Sequence, residues 1–169
     1  RLVDRARLAD LARPCYHGLA RGGEGYLEVG KHIYYARRNG AHMVLSLKPF
    51  GCMPSMQSDG VQSLVMARFK DTLYLPVETA PDGELDAHSR VQMALVDAKA
   101  RAQAEFERAL EATGKRLDDI RAYVAAHPDL RRATYRVPHR DGIAGTAANF
   151  VWHVSDRMDR DRRRVWRCH

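Results

Sequence analysis

The segment Lys48-Pro49-Phe50-Gly51-Cys52-Met53-Pro54 holds one cysteine between two prolines and beside a glycine. Each proline fixes a backbone angle and removes a donor. Met53 precedes Pro54 and is pushed towards an extended conformation. Gly51 lets another group approach the backbone closely. Such a loop holds Cys52 with little conformational freedom. A thiol held in this way has three uses. It can pack as a small hydrophobe, ligate a metal or cluster through its thiolate, or act as a nucleophile. The local residues leave all three open.

Other residues could join that chemistry. Cys15, in Pro14-Cys15-Tyr16-His17-Gly18, forms a Cys-x-His pair that could take metal or simply pack. Cys168 lies at the chain end, where ordering is weakest. Ser58, Asp59 and Gly60 are expected to open a helix. Free backbone N–H groups there could receive an anion such as a phosphate, or Asp59 could serve only as the cap. Glu78, Asp82 and Glu84, in a second turn-rich loop, could orient polar ligand groups or act as acid and base; turn and cap chemistry is the plainer use. Pro138-His139-Arg140-Asp141-Gly142 reads as a surface loop.

The elements that must position these residues follow from spacing. Helical periodicity covers residues 1–12 and should stop before Pro14. A glycine-rich loop with Gly18, Gly22, Gly23 and Gly25 follows; no Gly-Lys-Ser/Thr closes it, so it is not a P-loop. Glu24 to Arg38 reads as a helix ended by Asn39-Gly40. His42 to Lys48 has a short apolar centre and reads as a buried strand. A loop from Pro49 to Gly60 leads to a helix from Gly60 to about Phe69. Thr72 to Val77 is a second strand. A long helix runs from about Leu85 to Thr113, stopped by Gly114, and another from Leu117 to Ala126. The pattern weakens from Asp129 to Ala148, and Phe150 to Met158 is a short helix or docked tail.

Helix, strand, helix, strand, helix predicts an α/β fold. The expected architecture is a partial doubly wound parallel sheet with covering helices and a helical C-terminal extension. It divides as 1–84, the α/β core with the ligand loops, and 85–169, the helical extension with a basic tail. In open α/β sheets ligands bind beyond the carboxyl ends of the strands. Both loops, residues 48–63 and 76–84, are expected at that edge. Two strands are few for an independent sheet, and the chain starts at Arg1; a piece of a longer protein is the expectation.

Bulk properties exclude several classes. No apolar run approaches the roughly 20 residues of a membrane span. Three cysteines without a CxxC pair argue against a disulfide scaffold or a zinc ribbon and for a reducing, cytoplasmic setting. The net charge is +7, much of it in the arginine-rich C-terminal stretch, where Asp156, Asp159 and Asp161 are interleaved. A solvated face accounts for it. No aromatic-basic module of the familiar kinds accompanies it, so nucleic acid is not the expected partner.

The blocks KPFGCMPS, SDGVQS and PVETAPDGELDAHSRVQM, with GEGYLEVGKHIYYARRNGA before them and PHRDGIAGTAANF after them, resemble the activase-related proteins of the 2-hydroxyacyl-CoA dehydratase system. The similarity is to their dehydratase-component-like region near the carboxyl end, and it spans most of residues 14–155. It implies an α/β protein that holds an iron–sulfur cluster of the 4Fe-4S type through cysteine thiolates, with an ATPase activator domain or subunit supplying the electron. It further implies acyl-CoA substrates and a lyase reaction not complete in this chain. Cys52 matches the cysteine of the family's PFGC block, and Cys15 is the second candidate metal ligand. Ser58, Asp59, Gly60, Glu78 and Asp82 are candidate cofactor contacts. No ATPase motif is present, so ATP hydrolysis is not expected in this segment. Too few cysteines are placed to close a cluster in one copy. That points to a cluster shared with another domain or subunit in a homo- or hetero-oligomer. The competing reading is a non-catalytic module that docks acyl-CoA or another anion without a cluster.

Overall fold

The computed structural model describes residues 3–20, 22–80 and 83–167. In chain order the elements are α1 (Arg5–Ala12), α2 (Gly25–Arg38), β1 (Val44–Pro49), α3 (Met53–Arg68), β2 (Tyr74–Thr79), α4 (Glu84–Thr113), α5 (Leu117–Ala126), a single 3-10 turn (Pro128–Arg131) and α6 (Thr146–Arg167). The fold is mixed α/β and mostly helical, with one two-stranded parallel sheet. The chain forms two compact units, Arg1–Lys99 and Ala100–His169. Helix α4 contributes residues to both.

In the first unit, α1 begins at Asp4, whose carboxylate accepts from the Ala6 amide, the usual use of an N-cap aspartate. Helix α2 ends where Asn39 takes the left-handed conformation at φ 44°. Arg37 and Arg38 lie in its last turn, where cations meet the negative end of the helix dipole. The two helices cross at Gly30. A Cβ there would lie 2.3 Å from the Leu8 carbonyl oxygen, so only glycine permits this approach. The apolar core gathers Ala12, Tyr16, Val29, Ile33 and Val65.

Strands β1 and β2 pair in parallel, with Val44 opposite Tyr74 and Pro49 opposite Thr79. Helix α3 connects them. The expectation of a buried first strand fails. Leu45 and Leu47 are 38% and 64% exposed, while Lys48 is buried. Successive side chains alternate between faces, and here the polar set points inward. Helix α3 also starts earlier than expected. Cys52 is its N-cap and Pro54 lies in its first turn. Proline there gives up a donor that has no helical partner in any case, and its fixed φ suits the helix.

The second unit has its own core of Ala109, Ile120, Leu130, Ala148, Val151 and Val154. Gly114, at φ 63°, ends α4. Helix α6 runs 22 residues, well beyond the short helix or tail expected at 150–158. Its many charges interrupt the apolar spacing beyond Met158, so its full length was not expected. Lys115 reaches Asp159 at 2.5 Å and Arg157 reaches Asp129 at 2.6 Å. The basic stretch is therefore a partnered helix face as well as a solvated one. Buried Glu105 on α4 accepts from the Ala144 and Gly145 amides at 3.0 and 2.6 Å, fixing the chain just before α6. No helix among the described residues is long and apolar enough to cross a membrane.

Candidate functional site

The parallel register puts the carboxyl ends of β1 and β2 side by side, as the loop argument requires. The Thr79 hydroxyl donates to the Lys48 carbonyl at 3.1 Å, and the Phe50 amide donates to the Thr79 carbonyl at 3.1 Å. Beyond this edge the chain turns through Gly51, at φ 73°, a conformation that favours glycine. It then enters α3 at Cys52. The glycine-rich loop packs onto this turn from the other side. A Cβ on Gly23 would meet Pro54 Cγ at 2.3 Å, and one on Gly25 would meet the Pro54 carbonyl at 2.6 Å. Two glycines thus let that loop close over the start of α3.

Cys52 is half-buried. Its sulfur lies 3.4 Å from the Ser55 hydroxyl. Hydrogen bonds from the Ser55 side chain and backbone hold the thiol below its ordinary pKa. Lys48 assists them, while burial and the Glu28 carboxylate oppose. A thiol placed at a helix N-terminus shows the same tendency in general. Ser55 also lies 3.0 Å from Glu28 Oε1, and the Ser58 hydroxyl donates to the other carboxylate oxygen of Glu28 and lies 2.8 Å from the Ser55 carbonyl. The single Ser55 proton therefore serves either Glu28 or a Cys52 thiolate, not both.

One turn further along both helices lies a second polar layer. His32 is fully buried and stacks on Tyr74 with ring centroids 4.7 Å apart. Its Nδ1 is 2.6 Å from Gln62 Oε1, the two carboxamide ends being interchangeable by a flip, and its Nε2 is 3.1 Å from the Thr72 hydroxyl. Thr72 donates to the Phe69 carbonyl, so it accepts from His32 Nε2–H. Neutral His32 then needs a donor at Nδ1. The Gln62 amide supplies one when its NH2 faces the ring; the reverse orientation leaves Gln62 Nε2 buried without a partner. Burial lowers the His32 pKa, consistent with the neutral form. The Tyr74 phenol is pushed up to about 12, chiefly by burial.

Lys48 ties the two layers to the strand. Its side chain is 1% exposed and forms an ion pair with Asp59, which is one-third exposed. This corrects the expectation for Ser58, Asp59 and Gly60. They do not open α3 but lie beyond its first turn, Asp59 is spent on Lys48, and Gly60 is an exposed position of the helix body. The helix N-terminus expected at these residues is instead at Cys52. Glu78 sits at the strand edge opposite Lys48 and is exposed. Asp82 and Cys168 lie outside the described residues. Cys15 packs against the apolar core of the first unit. The Pro138–Gly142 run is exposed and pinned to α6, its Arg140 amide donating to Asn149 Oδ1 at 2.7 Å.

Glu28, His32, Lys48 and Gln62 were not anticipated as site residues. Their signal was a set of polar side chains at positions that a simple amphipathic reading assigns to the core. A four-iron cluster takes about four thiolates. Among the described residues no three His, Cys, Asp or Glu side chains gather to hold a metal ion. Cys52, with its lowered pKa and fixed backbone, fits the part of one ligand; Cys15, set in apolar packing, does not extend the set.

Compared with protein-family models, with curated proteins and with solved structures, the chain matches none.

Proposed function

We propose that this chain is a dehydratase-like segment of the 2-hydroxyacyl-CoA dehydratase and activase system, and that Cys52 is one thiolate ligand of an iron–sulfur cluster completed by another domain or subunit. The observation that carries the reading is the Cys52 thiol, placed at the N-cap of α3 beyond the carboxyl end of β1 and held below its ordinary pKa by Ser55. A bound cluster would supply one-electron chemistry. The chain's own residues have simpler tasks. Ser55 donates to the thiolate. Glu28 accepts from Ser58 and so fixes the face of α3 that carries both serines. Lys48 adds positive charge behind the loop. The Gly23–Pro54 contact keeps the turn from opening.

In this reading the two-stranded sheet is part of a doubly wound parallel sheet. The cytoplasmic partner is an ATPase activator, and acyl-CoA is the substrate class. The test is anaerobic reconstitution of the complete protein with iron and sulfide, followed by metal analysis and visible absorption. Bound iron and sulfide are expected in the wild type and their loss in Cys52→Ala. Wild-type protein without iron, or a Cys52→Ala protein that keeps its full complement, overturns the proposal.

A further inference from the structure

A cavity of about 680 Å³ opens between α1, the glycine-rich loop and the start of α2. Its volume is in the range of small-molecule and cofactor sites, larger than a bare inorganic ion needs. One face of α1 forms a wall. Arg5, Ala9 and Arg13 line it at four-residue spacing, so the two arginines flank a small residue and stand about 12 Å apart along the axis. His17 and Tyr16 line the facing side, and among the described residues Glu24 is the one acidic residue in the lining.

The arginines are engaged only at the surface. Arg5 pairs with Glu24 at 2.8 Å and lies 3.4 Å from the Tyr26 hydroxyl; Arg13 pairs with Asp10 at 2.8 Å. All four charged side chains are about two-thirds exposed or more. Such pairs contribute little to stability and exchange readily for a better partner. A phosphate group is that partner, because the guanidinium fork meets two of its oxygens at once. Small Ala9 between the cations leaves room for the body of the ligand.

The geometry points to this cavity as a binding site for a nucleotide-sized phosphate ester, with Arg5 and Arg13 as its anion contacts. The loop is not a P-loop, since no Gly-Lys-Ser/Thr sequence closes it. The site does not depend on the cluster reading. It does adjoin it, because Gly23 lines the cavity and also rests on Pro54, two residues beyond Cys52.

The test is calorimetric titration of the whole chain with ADP, pyrophosphate and adenosine. ADP binding is expected, with adenosine weaker by at least about tenfold, the effect of losing charge-assisted hydrogen bonds. Arg5→Gln and Arg13→Gln should each weaken ADP by about tenfold. Ala9→Phe, which puts an aromatic ring between the two cations and keeps every charge, should weaken ADP binding by more than about tenfold while leaving the circular dichroism spectrum unchanged. Cys52→Ala should bind ADP as the wild type does, which separates this site from the metal reading. Adenosine binding as tightly as ADP, unchanged ADP affinity in a folded Ala9→Phe protein, or no ADP binding at all overturns the proposal. Pyrophosphate binding as tightly as ADP overturns the nucleotide-sized ligand.

Discussion

The two units use apolar side chains in opposite ways. Every large apolar side chain found exposed, from Leu19 to Val96, belongs to the first unit, and five of the eight buried polar residues, His32, Lys48, Ser55, Ser58 and Gln62, belong to it as well. The second unit buries its apolar groups around Val151 and Val154 and leaves no large one exposed among the described residues. A two-stranded sheet is a minimal one, and here one face carries Leu45 and Leu47 outward. The lesson is a division of labour. The second unit is built for stability, while the first keeps charge and hydroxyl groups inside, where low dielectric strengthens them.

The comparison can be broken by substitution. Leu130→Ala in the second unit removes a fully packed side chain and should cost about 4 kcal/mol in urea unfolding. A loss below about 1 kcal/mol would mean that this core is loosely packed. In the first unit the largest effect should come from a charge. Asp59→Ala leaves the buried Lys48 ammonium without its partner and should cost about 3 kcal/mol, whereas Lys48→Met, which removes the buried charge itself, should be close to neutral. Equal losses for the two variants would show that the pair is held by something other than mutual compensation.

A smaller effect separates the units by pH. Burial holds the folded His32 pKa below its ordinary value, so the unfolded chain binds that proton first as pH falls. The His32 contribution is intact above about pH 6.5 and is lost as pH falls from there through the lower folded value. Urea midpoints at pH 7.5 and 5.5 should therefore diverge, and His32→Gln should narrow the gap. His153 in the second unit, held low by burial and then by Arg157, keeps part of it. The smallest effect is expected for Leu47→Ala, within about 0.5 kcal/mol, because that side chain is already exposed. A larger loss would mean that the open sheet face is covered in solution.

Much of the framework was legible from the residues. Asn39-Gly40, Gly114 and the long alanine-rich stretch marked the ends and body of α2 and α4, and the two short runs marked β1 and β2. These signals are local. The start of α3 was misread because Pro49, Gly51 and Pro54 together resemble a loop, whereas Pro54 is a helix starter. The inward face of β1 was misread because Leu45 and Leu47 dominate its pattern, and the burial of Lys48 depends on Asp59, eleven residues away. The cysteine at the head of α3 stood out from its neighbours alone. The layers behind it did not. Glu28 and His32 lie on one helix and Ser55, Ser58 and Gln62 on another, and only packing brings them together.

The buried Lys48 ammonium has a further consequence. An amine-reactive label modifies lysines that solvent reaches, and this side chain is closed off by its own strand, by α3 and by Asp59. Its rate of labelling therefore measures how often the first unit opens around this side chain, under conditions where the chain as a whole stays folded. Nature has placed a chemical clock behind the cysteine loop, and mass spectrometry can read it.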